Sequence, residues 1–330
     1  MQRRPASKER GVILLTVLLL VAVMSSLAVA IVDDIRFGMR RSVNTALRDQ
    51  AYWYALGLEQ FAKLVVHRSW ELDADLSTLN DPWAREGARF PIENGFIDGV
   101  ITDGSNCFNV NSLVPTEEGA GGQPDPVVVR RFHALLSALE LTGADPVAIT
   151  NGVADWIDAD NAPLPRGAED YHYTNMSPPY RTGDTLMADV SELRAVNGVT
   201  ELVYRRLRPF VCALPTTREA PVNVNTLREQ DAPILVMLLS GRIDLPAAEA
   251  VIAERPSAGY ANMDEFWALR ALEKARPQED ERPRAQTWTQ YYDLAGRVAY
   301  QEAYFQLHST FELDSAGKVR LISRAFGALD

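Results

Sequence analysis

The residues best suited to chemistry in this chain are carboxylates, and they crowd into one stretch. Asp155-Trp156-Ile157-Asp158-Ala159-Asp160-Asn161 is followed by Gly167-Ala168-Glu169-Asp170-Tyr171. Asp158, Asp160 and Glu169, with the backbone carbonyls between them, offer hard oxygen ligands on a loop punctuated by glycine and proline. Calcium takes roughly six to eight such oxygens. No histidine or cysteine stands among these ligands, which disfavours zinc and copper. The spacing after Asp160 departs from an EF-hand loop. Carboxylates this dense repel one another if they converge without a cation. The competing reading is a solvated acidic loop with Asp155 or Asp158 at a helix end or turn.

Other chemistry finds little support. His67, His133, His172 and His308 are isolated, and no G-x-S-x-G, H-E-x-x-H or phosphate-cradling loop occurs. The expectation is therefore a protein that is not an enzyme. Cys107 and Cys212 fit two readings: a disulfide in an oxidising compartment, or two separate buried thiols. The net charge is −11 and is spread along the chain. A nucleic-acid partner would need a basic face to displace counterions, so none is expected.

Which compartment the chain enters is a question for its N-terminus. Arg3, Arg4, Lys8 and Arg10 form a basic leader, and residues Val12 to Val32 contain no charge. As a helix those residues span about 30 Å, enough to cross a hydrocarbon core. With Asp33 and Asp34 beyond it, the positive-inside rule keeps the N-terminus cytoplasmic and exports the bulk. A plain anchor, a secretory signal ending at Ala28-Val29-Ala30, and a pilin-type leader cut between Gly11 and Val12 all begin this way. The third is favoured because the helical pattern continues. Ile35, Met39, Val43, Leu47, Ala51, Tyr54, Leu58, Phe61 and Val65 recur at three- and four-residue steps, without proline, to about His67.

Lys8-Glu9-Arg10-Gly11 followed by VILLTVLLLV resembles a prepilin-peptidase site. The fifth position after the cut, usually glutamate in pilins, is Thr16. That departure suits a capping subunit, and the chain resembles the general secretion pathway protein K family of type II secretion systems. The resemblance implies a minor pseudopilin at the pseudopilus tip that helps initiate or cap assembly during export across the outer membrane. It further implies an inner-membrane, single-pass protein with its C-terminal bulk in the periplasm. Implied partners are prepilin peptidase, other minor pseudopilins and the inner-membrane platform; Val12 would be methylated after cleavage. The family's D-W-x-D-x-D and G-A-E-D run implies a structural calcium held among Asp158, Asp160, Glu169 and Asp170. Asp189 and Glu192 lie downstream in a matching Asp-Val-Ser-Glu-Leu segment. The alternative is an exported single-pass calcium-dependent binding protein that forms no fibre.

The elements that must position these residues read as α+β. A long N-terminal helix is expected to pack on a small antiparallel sheet, with a large helical region inserted. Residues 77–94 read as a loop, Phe96 to Asp103 as a strand, and Val127 to Leu272 as mostly helical. Ala299 to Leu313 and Val319 to Phe326 read as strands around Asp314-Ser315-Ala316-Gly317. Phe108-Asn109-Val110-Asn111-Ser112-Leu113 is echoed by Val222-Asn223-Val224-Asn225-Thr226-Leu227, with Ser112 and Thr226 as candidate helix caps. The resemblance makes these copies the starts of two SAM-like modules. The expected organisation is a leader (1–11), a filament-core half-helix (12–32), a pilin-like helix with first strands (33–106), module one (107–215), module two (216–280) and closing strands (281–330). The second module also resembles helix-hairpin-helix repeats, but Ser240-Gly241-Arg242 lacks their glycine-rich phosphate hairpin.

Overall fold

A computed structural model describes residues 7–85, 87–115, 123–141 and 143–327. The start of the leader, residues 1–6, lies outside the described residues. Helix α1 (Ser7–Leu72) is unbroken over 66 residues. It is followed by β1 (Ala88–Ile92) and β2 (Gly95–Asp103). The inserted region runs through β3 (Phe108–Asn109), α2 (Pro126–Ala138), α3 (Pro146–Ile157), α4 (Asp170–Tyr173), α5 (Glu201–Leu207) and β4 (Val211–Cys212). It continues with β5 (Val222–Asn223), α6 (Ala232–Leu238), α7 (Leu245–Ala253), α8 (Met263–Trp267), α9 (Arg270–Ala275) and β6 (Ala285–Gln286). Strands β7 (Tyr291–Tyr300), β8 (Ala303–Leu313) and β9 (Val319–Phe326) close the chain's described part.

The main sheet is antiparallel with strand order β1-β2-β7-β8-β9. The helical region therefore enters between two neighbouring strands, β2 and β7, and leaves their pairing intact. Helix α1 lies on one face of this sheet. Ala51, Ala55 and Ala62 are buried there, and their small side chains let the helix approach closely. Leu58 fills a hollow made by Gly99 and Gly296, which are paired across β2 and β7. A Cβ on Gly296 would lie 2.6 Å from Leu58 Cδ2, so any larger residue at that crossing would push the Leu58 side chain out of its place. One charge is buried in the interface. Glu59 accepts hydrogen bonds from Arg324 at 2.7 and 2.8 Å and from Ser309 at 3.1 Å, which joins α1 to β8 and β9. Upstream, residues 11–46 of α1 are exposed all round, as a membrane or bundle segment must be when no neighbour is present.

Two strands differ from the sequence reading. β1 falls inside the stretch expected to be a loop. It carries Pro91, which a sheet tolerates at an edge, and it hairpins to β2 through Asn94 at φ 62°. Residues 299–313 are not one strand: Gln301, at φ 50°, turns the chain between β7 and β8.

The echoed motifs close the two inserted units. β3 pairs in parallel with β4, and β5 with β6, so each unit's entry lies beside its exit. In the first, Asn109 Nδ2 donates to the carbonyls of Thr216 and Arg218, at 2.7 and 2.9 Å. Asn111 exchanges hydrogen bonds with the Met187 backbone at 2.8 and 2.9 Å. In the second, Asn225 does the same with Tyr260, at 2.7 and 3.0 Å. Ser112 and Thr226 are not helix caps. The Ser112 hydroxyl turns back on the Asn109 carbonyl, the Thr226 hydroxyl donates to Asp103, and Asp125 caps α2 instead. The units share one continuous core, with α2 against α6. A disulfide joins Cys107 to Cys212 at a Cα separation of 5.7 Å, across the β3–β4 closure.

Candidate metal centre

Helix α3 begins cleanly: Asp145 accepts from the Val147 and Ala148 amides, and Pro146 follows at the first turn. At its other end Asp155 and Asp158 are three residues apart, which puts them on one helix face. Glu169 precedes α4 and returns to the same place. Carboxylate oxygens of Asp155, Asp158 and Glu169 all lie within 4.8 Å of one another, and all three residues are buried. Gly167 makes the approach possible, because a Cβ there would fall 2.0 Å from Asp155 Oδ2.

The local chemistry of the cluster is that of a cation site without counter-charge from the chain. Asp155 accepts from the Leu164 amide at 3.1 and 3.2 Å. Asp158 Oδ1 and both oxygens of Glu169 are buried with no hydrogen-bond partner. Groups of this kind are ordinarily paired or metal-bound. At 4.8 Å and an effective dielectric near 20, each ionised pair costs about 3 kcal/mol. Burial raises the Asp155 carboxyl to about 6, helped by Asp160. Burial, with Asp160 and Asp155, raises Asp158 to about 6. Burial and the charges of Asp155 and Asp158 push Glu169 to about 8. The donors are oxygen only, and among the described residues no lysine, arginine or histidine forms an ion pair with any of the three. Among the described residues this is the one such cluster of histidine, cysteine or carboxylate ligands. A hard divalent ion, calcium by donor type, fits these residues.

The remaining candidates sit around the cluster. Asp160 is exposed and accepts from the Ala162 amide at 2.7 Å, while its charge acts on Asp158 and Glu169. Asp170 is occupied by Arg181 at 2.7 Å and by the Thr182 amide and hydroxyl at 3.0 and 2.9 Å. Asp189 and Glu192 form a capping box. Glu192 Oε2 also accepts from Trp156 Nε1 at 3.2 Å, which fixes the indole between Asp155 and Asp158 in sequence. Asp155 was not among the expected ligands, although its three-residue spacing to Asp158 was the signal that could have placed it beside them. Asp184, an exposed residue at φ 47° whose charge acts on Asp158 and Glu169, left no sequence signal. The cluster borders a cavity of about 410 Å³ lined by Asn161, Pro163, Glu169, Asp170, Tyr171 and His172.

At the other end of the molecule, Gly11 and Val12 lie exposed in α1. The Thr16 hydroxyl donates back to the Ile13 carbonyl at 2.9 Å and puts no charge into the apolar segment. One helix long and apolar enough to cross a membrane, running on into a helix packed on an antiparallel sheet, defines a pilin-like protein. This one carries a helical head between two strands of that sheet.

Comparison with known proteins narrows the class. Residues 106–216 and 222–286 match two descriptions of type II secretion system (T2SS) protein K. Protein K of Pectobacterium carotovorum is 34% identical over 324 residues, covering 97% of both chains. That of Aeromonas hydrophila is 37% identical over 258 residues, covering 77% of this chain and 78% of its own. A chain in the crystal structure of the GspK-GspI-GspJ complex from the enterotoxigenic Escherichia coli type 2 secretion system superposes with a TM-score of 0.76. Its identity is 27%, with 87% of this chain and 99% of that chain covered. The chain belongs to the type II secretion system protein K family, whose members are minor pseudopilins and components of a secretion machine. That membership sets aside the exported binding protein that forms no fibre.

Proposed function

We propose that this minor pseudopilin starts or caps the pseudopilus and has no catalytic activity of its own. The observation that carries the reading is the single 66-residue helix, free at its apolar start and sheet-bound at its end. Such a helix inserts into a bundle of like helices, while the head inserted between β2 and β7 occupies the far end. With Thr16 in place of a carboxylate, the subunit offers no counter-charge to the terminal amine of a neighbour. A buried carboxylate lacking that partner would cost several kcal/mol, on the order of 3–5. Only a subunit at the end of a stack escapes the requirement.

In this reading prepilin peptidase cuts after Gly11 and methylates the amine of Val12. The helix from Val12 to Val32 is held in the inner membrane, and the sheet and head stand in the periplasm. Other minor pseudopilins and the inner-membrane platform are its partners, as GspI and GspJ are partners in the solved relative's complex. Calcium is bound by Asp155, Asp158 and Glu169 and orders the loop from residue 158 to residue 200. Asp160 contributes charge from the rim. Asp170, Asp189 and Glu192 shape the loop through their own hydrogen bonds.

The N-terminal mass of the protein recovered from membranes tests the assembly half. A chain beginning at methylated Val12 is expected; one beginning at Ile31 would overturn it. Thermal melts with and without a calcium chelator test the metal half. An unchanged midpoint would remove the ion from the account.

A further inference from the structure

Gly57 has no visible purpose within this chain. It sits in the middle of α1 with ordinary helical backbone, where glycine costs about 1 kcal/mol relative to alanine. A Cβ added there would meet nothing within 4 Å. The missing side chain instead forms the floor of a notch of about 250 Å³, walled by Trp53, Tyr54, Phe61, Phe90 and Ile97. Phe61 and Phe90 pack edge to face at 5.3 Å, so the wall reaches from α1 to strand β1. Trp53 is nonetheless 65% exposed and Phe61 46% exposed, on the side of the helix away from the buried Ala51, Ala55 and Ala62.

The notch belongs to a longer stripe. Ile35, Met39 and Val43, then Trp53, Gly57, Phe61 and Leu64, fall on one face of α1, with Ala46 and Gln50 between the two runs, and the large apolar members are exposed. The stripe starts just beyond the apolar span and runs for about 44 Å along α1. Gly57 is about 38 Å past Val32, well outside any lipid, so the bilayer does not cover it. What can follow the stripe from the membrane to this height is another helix rising from the same membrane beside α1.

We propose that the notch at Gly57 receives one large apolar side chain, branched aliphatic or aromatic, from the membrane-anchored helix of a second pilin-like subunit. The packing is knob into hole: glycine lets the neighbour's backbone come close, and the aromatic walls hold the knob. The neighbour's helix runs parallel to α1, since both leave one membrane in the same direction. This deepens the assembly reading above and rests on it.

The test uses the full-length chain in membranes, co-expressed with affinity-tagged minor pseudopilins of its own secretion system. Gly57→Leu fills the notch and is expected to reduce co-purification by about ten-fold or more, the effect of overpacking a fitted contact. Its melting midpoint should not fall, because the new side chain meets open space in the lone protein. Gly57→Ala is expected to raise the midpoint and keep most of the capture. Full capture of Gly57→Leu, with wild type also captured, would overturn the notch proposal alone. Failure to capture the wild type would overturn the assembly reading, and this inference with it.

Discussion

Asp103 closes β2 at the point where the sheet gives way to the inserted head, and its titration should be visible in the stability of the whole fold. One oxygen accepts from the Thr226 hydroxyl at 2.6 Å and from the Thr289 hydroxyl; the other accepts from the Ser105 amide at 2.7 Å. Asn106 donates to Thr226 Oγ1 at 2.8 Å, Asn223 donates to Thr289 Oγ1 at 2.8 Å, and the Asn223 amide donates to Asn106 Oδ1 at 2.9 Å. The five residues form a closed ring with the carboxylate as its common acceptor. Burial nevertheless wins over these bonds and raises Asp103 from 3.8 to about 6. A raised folded-state value means that the folded protein holds its proton more tightly than the unfolded one. The associated stability is therefore complete below pH 3.8 and is lost as pH rises through about 6. A shift of about two units is worth about 3 kcal/mol. The ring accepts the proton without an orphaned group. The Thr226 hydroxyl can turn to the Asn223 carbonyl, 3.1 Å away, and leave its lone pair to the protonated acid. Asp103→Asn cannot titrate, so the difference between wild type and variant isolates this group from the metal cluster. Urea unfolding of both proteins in detergent should show that difference changing by about 2.4 kcal/mol between pH 4 and 7 in favour of wild type at the acid end. Stability curves that stay parallel across this window would refute the reasoning.

Four further outcomes follow from the structure. Replacing Cys107 or Cys212 by serine opens a loop of 105 residues and should cost about 4–5 kcal/mol, read as a lower urea midpoint. Glu59→Ala removes the buried acceptor of Arg324 and Ser309 while leaving Arg324 within reach of solvent, and about 1–3 kcal/mol should be lost, measured the same way. Calcium should raise the melting midpoint, and Asp158→Asn or Glu169→Gln should each abolish that rise. Because burial and its neighbours hold Glu169 near 8, calcium binding should release protons near neutral pH and tighten as pH rises from 6 to 8. Calorimetry in buffers of different ionisation heat measures that release.

Much of this architecture could be read from periodicity. The apolar run from Val12 and the three- and four-residue steps after it specify α1, whose sheet-facing residues include Ala51, Ala55 and Leu58. Alternation specifies β2, and the polar turn at Asp314 marks the hairpin that joins β8 to β9 at the far edge of the sheet. Periodicity failed where an edge strand carried a proline, as at Pro91, and where a two-residue turn without glycine, at Gln301, split a continuous run of strand formers. The acidic run pointed to a cluster of carboxylates, and Asp158 and Glu169 converge with Asp155, while the other four expected residues stand outside that trio. Sequence spacing did not reveal that Asp170 answers to Arg181 and Thr182 or that Glu192 answers to Trp156, because those partners are fixed only by the tertiary path of the loop. The pairing of Cys107 with Cys212 was open for the same reason, since only the parallel β3–β4 closure brings the two backbones together.

The path of that loop explains why a structural protein would retain buried, mutually repelling carboxylates. Between Ile157 and Glu201 the chain has only the short α4 and one 3-10 turn, and few backbone hydrogen bonds of regular structure hold it. Polar clamps hold it instead. Asn111, from the clasp that closes the first unit, grips Met187; Arg181 and Thr182 grip Asp170; the capping box at Asp189 presents Glu192 to Trp156. Each clamp fixes one point of the loop, and Asp155 and Asn151 tie Leu164 and Pro165 back to α3, which leaves the approach of Glu169 to Asp158 as the contact with no donor of its own. The three-carboxylate cluster spans that gap, and without a cation it pushes the two ends apart at about 3 kcal/mol per ionised pair. With a cation the same charges become the strongest link in the loop. Under the calcium proposal, the head would be well ordered only where the ion is available, and removing it should loosen the loop between Asp158 and Glu169 first.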